Sequence, residues 1–214
     1  MRRMTLAGLV LGLGTGVGEA ALTRPEPPSA SDDVITVSED TNSRVSKPGV
    51  LKNDQLRSMG PLRAVLVSTT AHGKLTLHPD GSLAYQPDAD FNGVDLFTYA
   101  ATDGSRVSDP AIVAITVMPV NDPPVAGDDH VTLTGPGSIK LYLTANDTDV
   151  DGVVVPNSLT IMTPPRQGEV RVGPSGSVTY TPAPGSSGRD AFSYIVWDDR
   201  GARSNAAAVF LERP

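Results

Sequence analysis

Residues 73–99 read GKLTLHPDGSLAYQPDADFNGVDLFTY, and residues 168–194 read GEVRVGPSGSVTYTPAPGSSGRDAFSY. Aligned without a gap, the two stretches share glycines, tyrosines, a proline, an aspartate and a phenylalanine at a constant offset of 95 residues. Further matches at offsets of 93 to 96 lie on either side, which indicates small insertions or deletions in loops. The chain therefore contains a duplicated unit, and its 214 residues divide into two domains.

Each copy has the residue pattern of β-strands. Short runs rich in Val, Leu, Tyr and Thr flank a four-residue turn at 78–81 and another at 173–176, which predicts a hairpin in each copy. Predicted strands of the first copy are 34–37, 49–51, 62–67, 74–77, 82–85, 96–100 and 112–117, and those of the second include 170–172, 177–181, 191–195 and 206–211. About seven short strands per copy, with turn residues between them, predict an immunoglobulin-type β-sandwich.

Six aromatic residues occupy equivalent positions in the two copies, and several alternate with polar residues at the period of two that a half-buried strand requires. We predict that they form the cores of the two sandwiches. They are Tyr85 and Tyr180, Phe97 and Phe192, and Tyr99 and Tyr194.

The overall composition agrees with this fold and disfavours some classes of binding partner. Glycine and proline, at 21 and 19 residues, exceed their usual share of about 12%, which is too much turn chemistry for a helix bundle. The formal net charge of −7 disfavours nonspecific binding to nucleic acid or anionic lipid and favours cations. Because the chain has no cysteine, it has no disulfide, thiolate metal site or cysteine nucleophile.

The N-terminus has the layout of a bacterial secretory signal peptide. Arg2 and Arg3 precede an apolar, glycine-rich stretch, and small residues lead up to Ala20. We expect a signal peptide over 1–20, a linker over 21–31, a first domain over 32–119, an inter-domain linker over 120–127 and a second domain over 128–214. No apolar run reaches the roughly 20 residues of a membrane span. The expected location is therefore extracellular or on the cell surface, with the periplasm as the alternative.

Two more stretches carry a family resemblance. Residues 120–129 read VNDPPVAGDD, and residues 143–152 read LTANDTDVDG. Followed by the hairpin and tyrosine motifs, they resemble the tandem cadherin-like and bacterial Ig-like repeats of secreted and surface adhesin-type bacterial proteins, over about residues 31–214. The resemblance implies two tandem Ig-like/cadherin-like Greek-key β-sandwiches with an extracellular structural or adhesive role toward a cell-surface protein or polysaccharide. It also implies an absence of catalysis, and calcium that stiffens the domain junction.

Residue chemistry independently favours calcium. Ca²⁺ takes six to eight oxygen ligands, and Asp147, Asp149 and Asp151 alternate in one loop. By resemblance to cadherin junctions, the expected set comprises Asn121 and Asp122 in the linker, Asp147 and Asp149 in the loop, Asp198 after the sixth strand of the second copy, and Glu39 from the first domain. The alternative is that these aspartates cap turn backbone. In the first copy Asn53-Asp54 is followed directly by Gln55-Leu56-Arg57-Ser58 instead of further aspartates, so we expect no equivalent site at its own N-terminal end.

Enzyme motifs are not evident in the sequence. The three histidines lack HExxH spacing, and there is no Gly-x-Ser-x-Gly elbow or phosphate-binding glycine loop. Asp95 and Asp190 recur in separate domains, which favours structural capping over paired-carboxylate chemistry. Trp197 has no counterpart in the first copy, and we favour a packing role over a sugar-stacking platform. A carbohydrate-binding accessory module using Trp197 is the alternative function.

Overall fold

The structure, a computed structural model, describes residues 26–57, 60–135 and 137–213, and folds them into two β-sandwiches. The strands of the first are Asp33–Ser38 (β1), Ser43–Val45 (β2), Arg63–Ser68 (β3), Gly73–Leu77 (β4), Leu83–Pro87 (β5), Gly93–Thr102 (β6) and Ala111–Met118 (β7). Those of the second are Asp129–Thr132 (β8), Ile139–Leu141 (β9), Val154–Thr163 (β10), Gly168–Val172 (β11), Val178–Pro182 (β12), Gly188–Asp198 (β13) and Ala207–Arg213 (β14). The predicted all-β tandem fold is confirmed. The predicted signal peptide lies outside the described residues.

Each sandwich combines a four-stranded sheet with a three-stranded sheet. The first has strand orders β1-β7-β6-β3 and β2-β5-β4, and the second has β8-β14-β13-β10 and β9-β12-β11. β1 pairs in parallel with β7, and β8 in parallel with β14, whereas the other strand pairs are antiparallel. The two halves thus share one topology, so the duplication in sequence is a duplication of the fold.

Strand alternation builds a separate core in each sandwich. Along β7 the side chains at 111, 113, 115 and 117 are buried, while those between them are partly or fully exposed. All six recurring aromatic residues are buried, in agreement with the prediction. Three belong to the first core and three to the second. The hydrophobic stabilisation of each domain therefore comes from its own residues.

Glycine is required at the tip of each predicted hairpin turn. Gly81 and Gly176 have φ values of +83° and +76°, a region that favours glycine. A Cβ atom at either position would lie 2.0 Å from a backbone carbonyl oxygen, that of Pro48 or of Pro156. The first hairpin tip therefore packs against the segment at Pro48, which precedes β3. The second packs against Pro156, near the start of β10.

The segment Gly49–Leu51 was predicted to be a strand, and this prediction is wrong. It forms a single 3₁₀ turn, in which the Leu51 N–H donates to the carbonyl of Pro48 at 3.0 Å. Gly49 has a φ of +54°, which is incompatible with a strand, while Val50 and Leu51 are buried. A short run of apolar residues can be buried in the core from a turn as well as from a strand, so the sequence pattern did not distinguish the two.

The strand directions bring particular loops to the boundary between the domains. Because β1 and β7 run in parallel, the end of β1 lies beside the end of β7, where the chain enters the linker; the Glu39 N–H donates to the Met118 carbonyl at 3.0 Å. The β5–β6 loop lies at the same end because β6 is antiparallel to β7. In the second domain the loop before β10 and the β13–β14 loop lie near the start of β8.

Candidate functional site

The first domain contributes carboxylates from the end of β1 and from the β5–β6 loop. Glu39 is only 2% exposed, and its carboxylate accepts the Val120 N–H at 2.6 Å and the Asn92 side-chain amide at 3.3 Å. Asp40 follows with a φ of +54°, and its carboxylate accepts the Asp90 N–H at 3.2 Å. Sequence reasoning predicted Glu39 but missed Asp40, although the two acids are adjacent.

Asp122 in the linker joins this group. Carboxylate oxygens of Glu39, Asp40 and Asp122 all lie within 4.8 Å of one another. Burial, together with the negative charges of Asp40, Asp90, Asp151 and Glu39, raises the pKa of Asp122. The fold therefore holds several acids closer together than their charges favour.

The second domain contributes the loop before β10. Asp151 Oδ1 accepts the Asp122 backbone N–H at 3.2 Å, which links this loop to the linker. Asp149 Oδ1 accepts the N–H groups of Asp151 and Gly152 at 3.2 and 2.8 Å. One carboxylate oxygen of Asp149 thus caps its own turn, as the alternative interpretation expected.

Asp198 closes the site from the end of β13. Its Oδ2 accepts the Asn121 side-chain amide at 2.6 Å, and its Oδ1 accepts the N–H groups of Arg200 and Ala202 at 2.9 and 2.7 Å. Burial opposes its ionisation, but these hydrogen bonds outweigh that effect and hold the pKa of Asp198 below its usual value. These hydrogen bonds therefore stabilise the negative charge of Asp198 beside the linker.

Arg200, which sequence reasoning missed, lies against the same residues. Its Nη1 donates to Asn121 Oδ1 at 3.2 Å and also contacts the Asp151 carboxylate, while its Nη2 donates to the Asp151 carbonyl at 2.9 Å. The offset of 95 places Ser105 at this position in the first copy, so comparison of the copies signals that Arg200 is specific to the second domain.

Asp147 has different neighbours from the other predicted ligands. Its Oδ1 accepts the Gly127 N–H and the Tyr194 hydroxyl, each at 2.9 Å. The same arrangement occurs in the first domain, where the Tyr99 hydroxyl donates to Asp54 at 2.9 Å. Asp147 therefore belongs to a tyrosine contact that recurs in both sandwiches. Its spacing in the sequence alone did not distinguish it from Asp149 and Asp151.

Asp95 and Asp190 have the structural role that was predicted. Asp95, 2% exposed, accepts N–H groups of Ala71, His72 and Leu96 and the Tyr85 hydroxyl, at 2.8 to 2.9 Å. Asp190 accepts the equivalent three N–H groups and the Tyr180 hydroxyl, each at 2.9 Å. Burial disfavours both carboxylates, but the hydrogen bonds outweigh it and lower both pKa values.

The remaining candidates take up packing positions. Trp197 is partly buried on β13, paired with Val155 of β10 and bridged to Arg203. His72 stacks on Phe91, with 4.4 Å between ring centroids, and His130 stacks on Phe210 at 4.9 Å. In the described part of the chain, no helix is long and apolar enough to cross a membrane.

The junction residues fit a hard cation. Among the described residues, four buried carboxylate oxygens have no hydrogen-bond partner: Asp122 Oδ2 and Asp149 Oδ2 at the junction, and Asp129 Oδ2 and Asp147 Oδ2 beside Tyr194. A buried charged oxygen without a partner is unfavourable, and oxygens up to 4.8 Å apart are within the span of two Ca–O bonds of about 2.4 Å. The arrangement can therefore bind a divalent cation through oxygen ligands.

Known proteins resemble both halves of the chain. Residues 25–119 match the family model described as bacterial cadherin-like domain, and residues 121–210 match the one described as bacterial Ig domain. No curated protein is found to match. Domains of these two families are typical of extracellular or surface adhesion-type proteins and are typically non-catalytic.

Solved structures are similar to the chain over most of its length. The first two cadherin repeats of human protocadherin-24 are 13% identical, with a TM-score of 0.50, over 88% of this chain and 99% of that chain. Cadherin domains 1–5 of protocadherin gamma B2 are 14% identical, with a TM-score of 0.46, over 87% and 40%. An endo-fucoidan hydrolase from glycoside hydrolase family 107 is 18% identical, with a TM-score of 0.37, over 87% of this chain. The chain spans only 28% of that hydrolase's length. The two family matches, together with the repeated topology, show that the chain carries a bacterial cadherin-like domain and a bacterial Ig domain in tandem.

Proposed function

We propose that the protein is a non-catalytic extracellular structural and adhesion module whose domain junction binds calcium and is stiffened by it. The observation that carries this proposal is the pair of buried, unpartnered carboxylate oxygens on Asp122 and Asp149, in a junction crowded with acids. We also propose that residues 1–20 direct export, that the domains span 32–119 and 128–214, and that the adhesive partner is a cell-surface protein or polysaccharide.

The proposed ligands come from three parts of the chain. The first domain supplies Glu39 and Asp40, the linker supplies Asn121 and Asp122, and the second domain supplies Asp149, Asp151 and Asp198. We leave Asp147 out of this set because its carboxylate lies with Asp129 around the Tyr194 hydroxyl, although its Oδ2 is also without a partner. Bound calcium would supply the positive charge that this acidic set lacks.

Stiffening follows from where the ligands lie. Without a cation, the carboxylates of Glu39, Asp40 and Asp122 repel one another, which favours separation of the linker from the first domain. Asp122 is also tied to Asp151 of the second domain through its N–H group. A cation shared by these groups holds both domains and the linker together, so the hinge loses freedom.

A thermal melt in calcium and in chelator tests the proposal. A ligand that binds only the folded state stabilises it by about 2.7 kcal/mol at 100 times its Kd. For a domain of about 100 residues, this raises the melting temperature on the order of 10 °C. We expect such a rise in millimolar calcium, together with reduced flexibility in small-angle X-ray scattering.

Variants assign the effect to the junction. Asp122→Asn is expected to reduce the calcium-induced rise in melting temperature. Asp109→Asn, which removes the same charge from an exposed residue of the β6–β7 loop, is expected to keep that rise. Identical melts and scattering with calcium and with chelator would reject calcium binding. The turn-capping role of the aspartates would then remain.

A further inference from the structure

Arg200 brings a positive charge into a junction that is otherwise acidic. Eight acidic residues lie in the segments that meet there: Glu39, Asp40, Asp90, Asp122, Asp149, Asp151, Asp198 and Asp199. Among the described residues, Arg200 is the basic side chain that pairs with one of them. Its contacts are oxygens, which are also the atoms that a calcium ion requires.

Arg200 engages three oxygen atoms at once. One is the Asn121 side-chain carbonyl, 3.2 Å from Nη1, and another is the Asp151 backbone carbonyl, 2.9 Å from Nη2. The third is the Asp151 carboxylate, which forms an ion pair with Nη1. The planar guanidinium fork suits this arrangement because it donates in several fixed directions. These contacts tie the linker to the loop before β10.

The contact is partly sheltered from solvent. The Asp151 side chain is 17% exposed, whereas that of Arg200 is 49% exposed. The Asp151 carboxylate is therefore less screened than in a typical surface pair, but the arginine can leave the site toward solvent without disrupting a core. The pair is suited to exchange with another cation.

The first domain shows that the fold does not require this arginine. Asp103, the equivalent of Asp198, caps the N–H groups of Ser105 and Arg106 at 2.8 and 2.7 Å, as Asp198 caps those of Arg200 and Ala202. The first-domain turn is one residue shorter and has Ser105 in place of Arg200; its own arginine, Arg106, pairs with the capping Asp103 at 4.0 Å. Arg200 is an addition on the side of the second domain that faces the linker.

We infer that Arg200 is a built-in cation that competes with calcium for Asn121 and Asp151. This inference rests on the proposed calcium site and adds a residue that sets its affinity. In the absence of calcium, Arg200 holds the linker against the second domain. Calcium that uses the same oxygens must displace the guanidinium, so Arg200 raises the calcium concentration at which the junction responds.

Calcium titrations of the full chain and its variants test the inference. Arg200→Gln removes the charge and the fork, and an exposed or partly exposed ion pair is worth up to about 1 kcal/mol. We therefore expect the calcium midpoint of Arg200→Gln to fall roughly two- to fivefold relative to wild type. In chelator, its melting temperature is expected to be lower, while the rise produced by calcium is larger.

Two controls separate competition from a general effect of charge or structure. Arg203→Gln removes the same charge from the same loop, at a residue without a side-chain ion pair in the described part of the chain, and should leave the midpoint near wild type. Arg200→Lys keeps the charge without the fork and should give an intermediate midpoint. A purely structural role for Arg200 would lower the melting temperature without tightening calcium binding.

The outcomes distinguish this inference from the proposed function. If wild type binds calcium and Arg200→Gln has the same or a higher midpoint, or if Arg203→Gln tightens binding equally, the inference is wrong and the calcium site stands. If only Arg200→Gln binds calcium, the inference stands and the wild-type site is wrong. If neither protein binds, both are wrong.

Discussion

At the residue scale, both domains contain a tyrosine hydroxyl surrounded by two aspartates. In the first, the Tyr99 hydroxyl oxygen lies 3.3 Å from Asp33 Oδ2, 2.9 Å from Asp54 Oδ1 and 2.7 Å from the Val50 carbonyl oxygen, all within hydrogen-bonding distance. Burial, with a contribution from the neighbouring carboxylate, raises the pKa of Asp33 to about 6. The pKa of Asp129, the equivalent residue beside Tyr194, is also raised to about 6, by burial and by the charge of Asp147. The duplication has therefore preserved an unfavourable pair of acids.

These aspartates predict that stability falls as pH rises from about 4 to about 6. The folded state binds the protons of these two aspartates more tightly than the unfolded state, in which their pKa is 3.8. Their contribution to the free energy of unfolding is therefore complete below pH 3.8 and is lost as the pH rises through about 6. Asp54, Asp147 and Asp122 shift in the same direction. Asp95 and Asp190 have lowered pKa values, so their contribution to stability is present throughout this pH range and is lost only as the pH falls below the pKa of the unfolded state.

Urea denaturation in chelator at steps between pH 4 and 7 measures this slope. The double variant Asp33→Asn with Asp129→Asn should flatten it, because the amides do not titrate. Asp109→Asn, on an exposed loop, should leave the slope unchanged. A wild-type protein whose stability increases throughout this window, with no change in the double variant, would contradict the two raised pKa values.

At the element scale, the hairpin turns show how local and tertiary demands combine. The sequence HPDG predicts a tight turn, and Gly81 provides the positive φ that the turn needs. The carbonyl of Gly81 also accepts the Val50 N–H at 3.1 Å, so the turn supports the 3₁₀ segment that packs against it. The local sequence was sufficient to predict the turn, but it did not predict the contact of the turn with residues 48–50.

Gly81→Ala should destabilise the first domain more than Gly104→Ala. Both glycines have positive φ, +83° and +91°, so each alanine incurs roughly 1–2 kcal/mol of backbone strain. Only at Gly81 would the Cβ also meet the Pro48 carbonyl, whereas nothing lies within 4 Å of a Cβ at Gly104. We expect an additional cost of about 1–3 kcal/mol at Gly81.

Urea titration of the two variants gives the difference directly. The Gly104→Ala protein is the matched control, since it carries the backbone strain without the collision. Equal losses in the unfolding free energy would mean that the hairpin moves away from Pro48 at no cost, contrary to the close packing of the two segments.

At the scale of the whole molecule, two independent cores are joined by a polar junction. Each core is made of residues from one sandwich, and the linker contacts described above are hydrogen bonds and ion pairs. The two domains should therefore unfold separately when calcium is absent. The single tryptophan of the chain, Trp197, lies in the second domain and reports on it selectively.

Core truncations test this independence. Ile115→Ala and Leu211→Ala remove buried side chains from the first and the second core, at a cost of about 2–5 kcal/mol each. In chelator, Ile115→Ala should shift the unfolding seen by far-ultraviolet circular dichroism but not that seen by Trp197 fluorescence. Leu211→Ala should shift both signals. If Ile115→Ala shifted the fluorescence transition equally, the two domains would be one cooperative unit.

The sequence by itself determined the duplication, most of the strands of the first copy and the aromatic core; it missed the short strand Ser43–Val45. These features depend on residues close together in the sequence, because alternation along a strand determines which side chains face the core. The same alternation occurs in both copies, as the constant offset between Phe97 and Phe192 and between Tyr99 and Tyr194 shows. It also determined the capping role of Asp95 and Asp190, because one residue type recurring beside equivalent strands indicates a requirement of the fold. The short apolar run at 49–51 was ambiguous because strand and turn bury it equally well.

Only the tertiary structure decided which acids share the junction. Glu39 meets Asp122 because β1 lies parallel to β7, and this pairing depends on the arrangement of the whole sheet. Asp147 and Asp149 are two positions apart in one loop, and each has an unpartnered Oδ2, yet Asp147 is hydrogen-bonded to Tyr194 and Gly127 whereas Asp149 caps the loop that contacts the linker. Arg200 reaches Asn121 across 79 positions of sequence. Such contacts form between loops that the sheets bring together, and their geometry has no signature in the spacing of residues along the chain.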